Sequence, residues 1–180
     1  MSQDTPDRGT PPADHDRSAA LAARDATLDH ADAVLRQFRV IFRSVKKHFQ
    51  VIEKQCGIGG SQLWALATVS ARPGIRVTEL ARQLSIHQST ASNLIEQMTR
   101  LDLLRRERDT ADQRVVRLHA TARGAELLTR APQPLTGVLP DALAQLDATE
   151  LAALQASLAR LLQVMRVRDE SAEHTPLADL

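Results

Sequence analysis

The hydrophobic period changes part-way through residues 78–118, and this change most constrains the fold. At first, apolar side chains recur at spacings of three and four, which predicts a short helix over 78–84, a tight turn and a second helix over 88–101. The period then becomes two, which predicts two strands, 104–108 and 114–119, joined by a charged loop. The expected buried positions of the two helices are Leu80, Ala81, Leu84, Ala91, Leu94, Ile95 and Met98.

The other face of the second helix is polar, and it begins at the helix N-terminus. A helix N-terminus presents free backbone N–H groups and a positive dipole, which suit phosphates. Gln and Asn side chains can also make paired hydrogen bonds to adenine in the major groove of DNA. Two helices followed by a basic hairpin are typical of a winged helix-turn-helix. The predicted major-groove or phosphate contacts are Gln88, Ser89, Thr90, Ser92 and Asn93.

The hairpin loop and the residues after it carry a specific pattern. Asp109, Asp112 and Arg114 precede an alternating apolar strand, and Thr121 and Gly124 follow it. With this wing, residues 28–166 resemble the MarR family of bacterial transcriptional regulators, whose pattern here is roughly D-x-x-D-R-R, apolar-x-apolar, L-T-x-x-G. The resemblance implies that Arg114 enters the minor groove and that Asp112 holds a neighbouring arginine. Further candidate phosphate contacts are Arg105, Arg106 and Arg108.

Three positions depart from the family pattern. Gln113 replaces the first wing arginine, so one charge is missing, and His87 replaces the usual Ser or Thr cap of the second helix. Asp102 stands where the family usually has Gly after that helix. Asp tolerates the left-handed conformation better than most residues, so we expect the turn to form at some cost.

Two apolar seams at opposite ends of the chain predict the quaternary structure. One lies on a helix expected over 27–55 and recurs from Leu28 to Cys56, and the other runs from Leu151 to Met165 on the last helix. A helix of this length, roughly 40 Å, is too long for one small domain to cover. We therefore expect the terminal helices to pair with those of a two-fold mate, as the family resemblance also implies. The alternative is an intramolecular helix pair in a monomer.

The predicted organisation divides the chain into five parts. Caps are expected at Ser61 for the helix before the helix-turn-helix and at Thr78 for its first helix. Further caps are expected at Thr121 for the helix after the wing and at Asp147 with Glu150 for the last helix. A break is expected near Pro132 and Pro134. The last part of the arm, SAALAARDA, is alternatively the start of the first helix. The predicted parts are a disordered arm over 1–25, an N-terminal dimerisation helix over 26–60, a winged helix-turn-helix over 61–124, C-terminal dimerisation helices over 125–168 and a frayed tail over 169–180.

Charge is distributed unevenly, although the formal net charge is only +1. Residues 33–130 hold 17 basic and 8 acidic side chains, whereas both ends are acidic, at −4 each. A basic middle is typical of a DNA-binding core, although a merely solvated arginine-rich surface would give the same pattern. Aromatic residues make up only 2% of the chain, so the core must be built from Leu, Ala and Val.

Other chemistry has little support in the sequence. No nucleophile elbow, zinc-protease motif or glycine-rich phosphate loop is present, and the six histidines are scattered, so neither an enzyme nor a metal or cofactor site is expected. The single cysteine, Cys56, fits a reducing compartment, and no secretory or membrane-spanning segment is expected, so a cytoplasmic protein is predicted. Cys56 lies on the seam, which favours a structural thiol over a redox sensor. Candidate lining residues for a small aromatic or phenolic effector, by placement alone, are His48, Phe49 and Trp64.

The sequence thus predicts a mainly α protein with a small β-wing. The expected function is a homodimeric, sequence-specific DNA-binding regulator, a repressor, which acts on a pseudo-palindromic site and responds to a small molecule. Two alternatives stay open: a redox-sensing regulator acting through Cys56, and a winged-helix protein-interaction module that no longer binds DNA.

Overall fold

The computed structural model describes residues 13–109, 112, 115–166 and 168–179. It contains two compact units, one ending at Phe42 and one beginning at Arg43. A long first helix runs through both. The elements in chain order are α1 (Ala13–Cys56), α2 (Gly60–Ala71), β1 (Ile75–Arg76), α3 (Val77–Gln83), α4 (Gln88–Arg100), β2 (Leu104–Arg108), β3 (Val116–Ala120), α5 (Ala122–Arg130), α6 (Val138–Ala144) and α7 (Ala148–Val164), with 3-10 turns at Glu170–His174 and Leu177–Asp179.

The core of the second unit forms around α2. Leu63, Leu66 and Val69 are fully buried on this helix, and they pack with the apolar faces of α3 and α4 and with the sheet. Every buried position predicted for α3 and α4 is buried, which confirms the helical period of those segments. Ile52 of α1 is also 1% exposed, so the C-terminal end of the first helix belongs to this core.

Three antiparallel strands form one sheet in the order β1-β3-β2. The pairings of Ile75 with Leu118 and of Leu104 with Ala120 fix the register, and they turn Leu104 and Leu118 towards the core. The fold is therefore mainly α with a small β-wing, as the sequence predicted. The predicted third strand beside the wing is β1.

A tight junction joins α4, the wing and α5. Asp102 has φ 56°, so it adopts the left-handed conformation expected where the family has Gly. The Thr121 hydroxyl donates to the Asp102 carbonyl at 2.6 Å and accepts from the Gly124 N–H at 3.0 Å, so Thr121 caps α5 as predicted. A Cβ atom on Gly124 would lie 2.2 Å from the Leu103 carbonyl oxygen, so only glycine lets α5 approach this closely.

The helix boundaries confirm some predictions and correct others. The break after α5 and the Asp147–Glu150 capping box are present. Thr78 does not cap α3: the cap is Arg76, because the Glu79 carboxylate reaches back from the first turn and accepts the Arg76 N–H at 3.0 Å. Ser61 does not cap α2, which begins one residue earlier, after Gly59.

The two chain ends also differ from prediction. Residues 13–25, predicted as part of a disordered arm, are helical, since this Ala-rich segment has high helix propensity. The alternative interpretation had assigned only its last part, SAALAARDA, to the first helix. The rest of that arm, residues 1–12, lies outside the described residues. The predicted frayed tail forms two 3-10 turns, and Pro176 between them is buried. The tail is ordered because Pro176 and Ala178 near the end of the chain pack against the second unit.

The part of the first seam that lies in the first unit and the whole of the second seam are largely exposed. In the first unit Leu28 is 60% exposed and Leu35 is 53% exposed. In the second unit every residue of α7 is exposed, including Leu151, Leu154 and Leu158. An isolated helix of 17 residues is marginal in water, so a row of leucines along it requires a covering surface. Within the described part of the chain, no helix is both long and apolar enough to cross a membrane.

Replacing Gly124 by Ala should lower the free energy of unfolding by about 1–3 kcal/mol, because the added methyl group forces α5 away from the Leu103 carbonyl. Urea denaturation at a fixed protein concentration measures the change. The matched control is Gly59→Ala: Gly59 has φ −72°, and the nearest atom to its added Cβ is 4.0 Å away. The control should cost less than about 1 kcal/mol. Equal losses of stability in both variants would contradict the close packing.

Candidate nucleic-acid interface

Helix α4 carries the predicted groove-reading side chains. Its apolar face is buried, so its opposite face points outward, with Ser89 and Asn93 near the centre of that face. Gln88 and Ser92 are exposed on one flank, and the Ser92 hydroxyl donates to the Gln88 carbonyl at 2.9 Å. Thr90, on the other flank, is half-buried. The structure therefore presents four of the five side chains fully to solvent.

The N-terminus of α4 is open in the way that an anion site requires. His87 precedes the helix with an extended backbone, φ −64° and ψ 149°, and its side chain makes no capping hydrogen bond. The first N–H groups of a helix have no partner within the helix itself. Because no side chain caps this end, the N–H groups and the helix dipole remain directed at whatever approaches Gln88 and Ser89.

Grooves border both flanks of α4. On one side Gln88 shares a groove of about 310 Å³ with Arg76, Thr78 and residues 115–116 at the base of the wing. On the other side Thr90, Asn93 and Gln97 share a groove of about 330 Å³ with the start of α2 and with Asp179. Within the second groove the Gln62 side-chain amide donates to the Gln97 amide oxygen at 2.8 Å. The helix thus stands as a ridge between two grooves.

The wing divides its charges between two faces. Arg105, Glu107 and His119 lie on the outer face, where Arg105 donates to Glu107 at 2.7 Å and His119 lies 3.5 Å from the same carboxylate. Arg106 and Arg108 are exposed on the other side of β2, and among the described residues neither makes an ion pair. Of the three predicted arginines on β2, these two therefore have their charge available for phosphate.

An ion pair that the sequence did not predict closes the hairpin. Arg117 of β3 pairs with Asp109 at the end of β2, and its guanidinium also donates to the Gly74 carbonyl at 3.3 Å. The Asp112 N–H donates to the Asp109 carboxylate at 3.3 Å, and Asp112 itself is exposed. The signal for this pair was the cross-strand placement of opposite charges. Arg114 and Gln113 lie outside the described residues, so the minor-groove role of Arg114 stays a prediction.

Comparisons with known proteins agree with this geometry. Residues 57–115, from the end of α1 into the wing, match the MarR family. The matched segment contains both helices of the helix-turn-helix and covers about a third of the chain. An uncharacterized HTH-type transcriptional regulator of Bacillus subtilis (strain 168), YsmB, is 26% identical over 139 residues, which cover 77% of this chain and 95% of the relative. The helix-turn-helix segment is thus similar to the MarR family, and most of the chain is similar to a helix-turn-helix transcriptional regulator, in agreement with the sequence prediction.

A solved structure shows the same fold. The crystal structure of a MepR-like protein complexed with pseudoligands superposes with a TM-score of 0.52 at 19% sequence identity. The superposition covers 75% of this chain and 95% of that one. At this level of identity the match shows the winged-helix fold shared by MarR-family proteins, and the contact residues must be argued from this chain alone.

The predicted effector residues do not all meet. Phe49 and Trp64 line one small cavity together with residues 176–178. His48 instead donates from Nε2 to the Pro134 carbonyl at 3.1 Å, and its ring lies 6.1 Å from that of Phe49. The structure therefore brings two of the three residues together, and effector binding by them stays a prediction. Among the described residues no group of three His, Cys, Asp or Glu side chains could hold a metal ion.

Cys56 is half-buried at the end of α1 and packs against the core. Burial raises the pKa of the Cys56 thiol, and the nearby Arg130 guanidinium opposes this by lowering it. A redox sensor needs the thiolate, which a raised pKa disfavours at neutral pH. The environment therefore favours the structural interpretation of this residue over the redox-sensing alternative.

Alkylation of Cys56 by iodoacetamide should be slow at pH 7 and should accelerate only above the pH at which an ordinary free cysteine reacts, because the raised pKa keeps the thiol protonated. Replacing Arg130 by Ala should shift the rate profile to still higher pH, since Arg130 lowers this pKa. The urea-unfolded protein supplies the reference profile. Fast reaction at neutral pH, together with a loss of DNA binding that a reductant reverses, would instead establish a sensor.

Proposed function

We propose that this protein binds specific DNA as a homodimer, with α4 in the major groove and the wing along the neighbouring backbone and minor groove. The observation that carries the proposal is the exposed polar face of α4. An uncapped N-terminus begins this face, and beside it lies a wing whose Arg106 and Arg108 make no ion pair with any described residue. Direct base contacts come from Gln88 and Asn93, and the short hydroxyl side chains of Ser89, Thr90 and Ser92 contact phosphates or base edges.

The dimer follows from the exposed leucines of α7 and of the first unit. A two-fold dimer places two copies of α4 about one helical turn of DNA apart, so the site is pseudo-palindromic. Binding of this kind over a promoter excludes polymerase, which makes a repressor the simplest outcome. The proposal includes no catalytic activity, and it places the protein in the cytoplasm, where the chromosome is.

An effector response belongs to the same proposal. A ligand shifts an equilibrium only if it binds one of the two states more tightly than the other. A small aromatic or phenolic molecule would therefore release DNA if it preferred a dimer in which the two copies of α4, the recognition helices, are wrongly spaced for DNA. Phe49 and Trp64 line a small apolar cavity on the α2 side of the DNA-binding unit, and an effector that binds there would have to enlarge it.

The DNA upstream of the protein's own gene should bind the purified dimer at least about a thousand times more tightly than random DNA of equal length at physiological salt. Fluorescence anisotropy over a range of salt concentrations measures both affinities. Equal, weak binding to the two DNAs would place the operator at another promoter. If neither DNA binds even at low salt, the protein-interaction alternative replaces the DNA-binding one.

Two variants then separate base reading from phosphate contact. Arg108→Ala should weaken binding to all sequences and reduce the salt slope by about 0.9 for each phosphate that is no longer neutralised, hence by about two in a dimer. Asn93→Ala should leave the slope unchanged and relax the preference at one base pair. Arg160→Ala removes the same charge from α7, outside the helix-turn-helix, and is the matched control. A slope unchanged by Arg108→Ala would remove the wing from the interface.

Leu158→Asp should dissociate the dimer. Burying one leucine contributes about 1.5–3 kcal/mol, and the substitution occurs twice in a two-fold interface, so the dissociation constant should rise at least about a hundredfold. Ala156→Asp introduces the same side chain on the opposite face of α7 and should leave the dimer intact. Sedimentation velocity measures both. A monomeric wild type, or equal effects of the two variants, would support the intramolecular helix pair instead.

A further inference from the structure

The last turns of the chain are folded onto the DNA-binding unit. Residues 168–179, here called the C-terminal segment, form two 3-10 turns separated by the buried Pro176. Three separate contacts hold the segment: apolar packing at Pro176 to Ala178, a hydrogen bond at Asp179 and a ring contact at His174. All three lie on α2 or at the start of α4, so the segment touches the two helices that position the groove-reading face.

The apolar contact closes a cavity. Residues 176–178 cover the space between Phe49, Gly60 and Trp64, and the volume left beneath them is about 20 Å³, room for about one water molecule. A Cβ atom on Gly60 would lie 2.3 Å from the Phe49 ring and 3.0 Å from the Ala178 Cβ. The glycine therefore allows the ring, the helix and the segment to pack together.

The hydrogen bond fixes an acidic side chain beside the recognition helix. The Ser61 hydroxyl donates to both carboxylate oxygens of Asp179, at 3.1 and 3.2 Å. Ser61 is only 4% exposed, and it is the one buried polar residue of the core among the described residues. Asp179 in turn lines the groove that contains Thr90 and Asn93. A carboxylate is thus held on the flank of α4 that proposed DNA contacts occupy.

The ring contact reaches the N-terminus of α4. The His174 ring lies 4.3 Å from the His87 ring, with an angle of 65° between their planes. His87 is the residue that precedes α4, next to the N–H groups proposed to meet a phosphate. The C-terminal segment therefore occupies space at the start of the recognition helix as well as along its flank.

The charge of the segment opposes DNA. Residues 168–179 contain one arginine and four acidic residues, a net charge of −3, whereas residues 33–130 carry +9. A negative segment beside a phosphate-binding helix N-terminus lowers the affinity for DNA through repulsion and by occupying the approach. His174 and Leu177 remain exposed, so the segment is held by a few contacts and can open locally without unfolding the core.

From these contacts we propose that the C-terminal segment is an intramolecular brake on DNA binding. Docked on Ser61, His87 and the Phe49–Trp64 cavity, it screens one flank of α4, and its release gives the DNA-binding form. The inference rests on the proposed DNA-binding function and adds a regulatory element to it. Coupling between two sites is usually about 5-fold to 150-fold, and release should raise the affinity for DNA within that range.

The test uses neutral substitutions in the full chain. Ser61→Ala removes the donor to Asp179, and Ala178→Gln places a larger side chain where Ala178 packs near Gly60. Neither changes the charge of the protein, so a gain in DNA affinity reports release of the segment. Each should tighten binding at least about fivefold. Ser70→Ala, on the same helix about two and a half turns away, is the matched control and should change nothing.

A double-mutant cycle makes the test specific. Asp179→Ala should also tighten binding, and Ser61→Ala should add no further gain in the Asp179→Ala background, because the two residues form one contact. Trp64 is the only tryptophan, and it lies under residues 176–178, so its emission should shift to longer wavelength in Ala178→Gln without any DNA present. The emission reports docking even if a variant loses DNA binding through misfolding.

The possible results distinguish failure of the proposed brake from failure of the proposed DNA-binding function. Wild-type binding to DNA with equal or weaker binding by both neutral variants would overturn the brake and leave the DNA-binding proposal standing. Independent, additive gains from Ser61→Ala and Asp179→Ala would also overturn it, since the two side chains would then act separately. If no form binds DNA, the proposed function fails and the brake fails with it.

Discussion

The short junction between α4 and the wing is the constraint on which the rest of the DNA-binding unit depends. Asp102 turns the chain through a left-handed residue, and the Leu103 N–H bonds to the Met98 carbonyl at 2.9 Å. The Leu103 carbonyl then accepts the Thr121 N–H at 3.1 Å and meets the backbone of Gly124 in close contact. The N–H and carbonyl groups of Leu103 thus set where α4 ends, where β2 begins and how α5 packs.

This junction explains why the two polar surfaces are held in a fixed relation. β2 begins one residue after the junction, so the position of Arg106 and Arg108 follows from the end of α4. The Asp109–Arg117 pair then joins the two wing strands further out. Because the intervening backbone is short and hydrogen-bonded, the helix and the base of the wing move as one piece, which suits simultaneous contact with adjacent grooves of DNA.

The sequence predicted the parts of the fold whose information is local. The inward positions of α3 and α4 recur within a single helix, and the wing strands alternate, so each period could be read without knowledge of the rest of the chain. Thr78 and Ser61 were wrong as caps because Ser and Thr near a helix start are only a preference, and Glu79 and Gln62 settled the choice by reaching back. In the candidate site, the exposure of the polar face of α4 could be predicted from the same helical period, whereas the pairing of Arg105 with Glu107 could not.

The C-terminal segment shows what local information omits. Ser61 and Asp179 are 118 positions apart, and no period or motif links them. The acidic composition of residues 169–180 suggested a solvated tail, and only the packing of Pro176 on the core shows otherwise. Similarly, helix length and seam spacing predicted that α7 needs a partner, but its full exposure in a single chain could be seen only in the structure.

The exposure of α7 has a consequence for how this protein persists at low copy number. If the leucine row is covered only by a second copy, folding of that helix and association of two chains are a single equilibrium, and its midpoint moves with total protein concentration by mass action. Newly made or highly diluted chains would then carry an uncovered apolar helix, a substrate for chaperones and proteases. The cellular amount of such a regulator would therefore have a lower threshold set by its own association, beneath which chains are removed before they reach DNA.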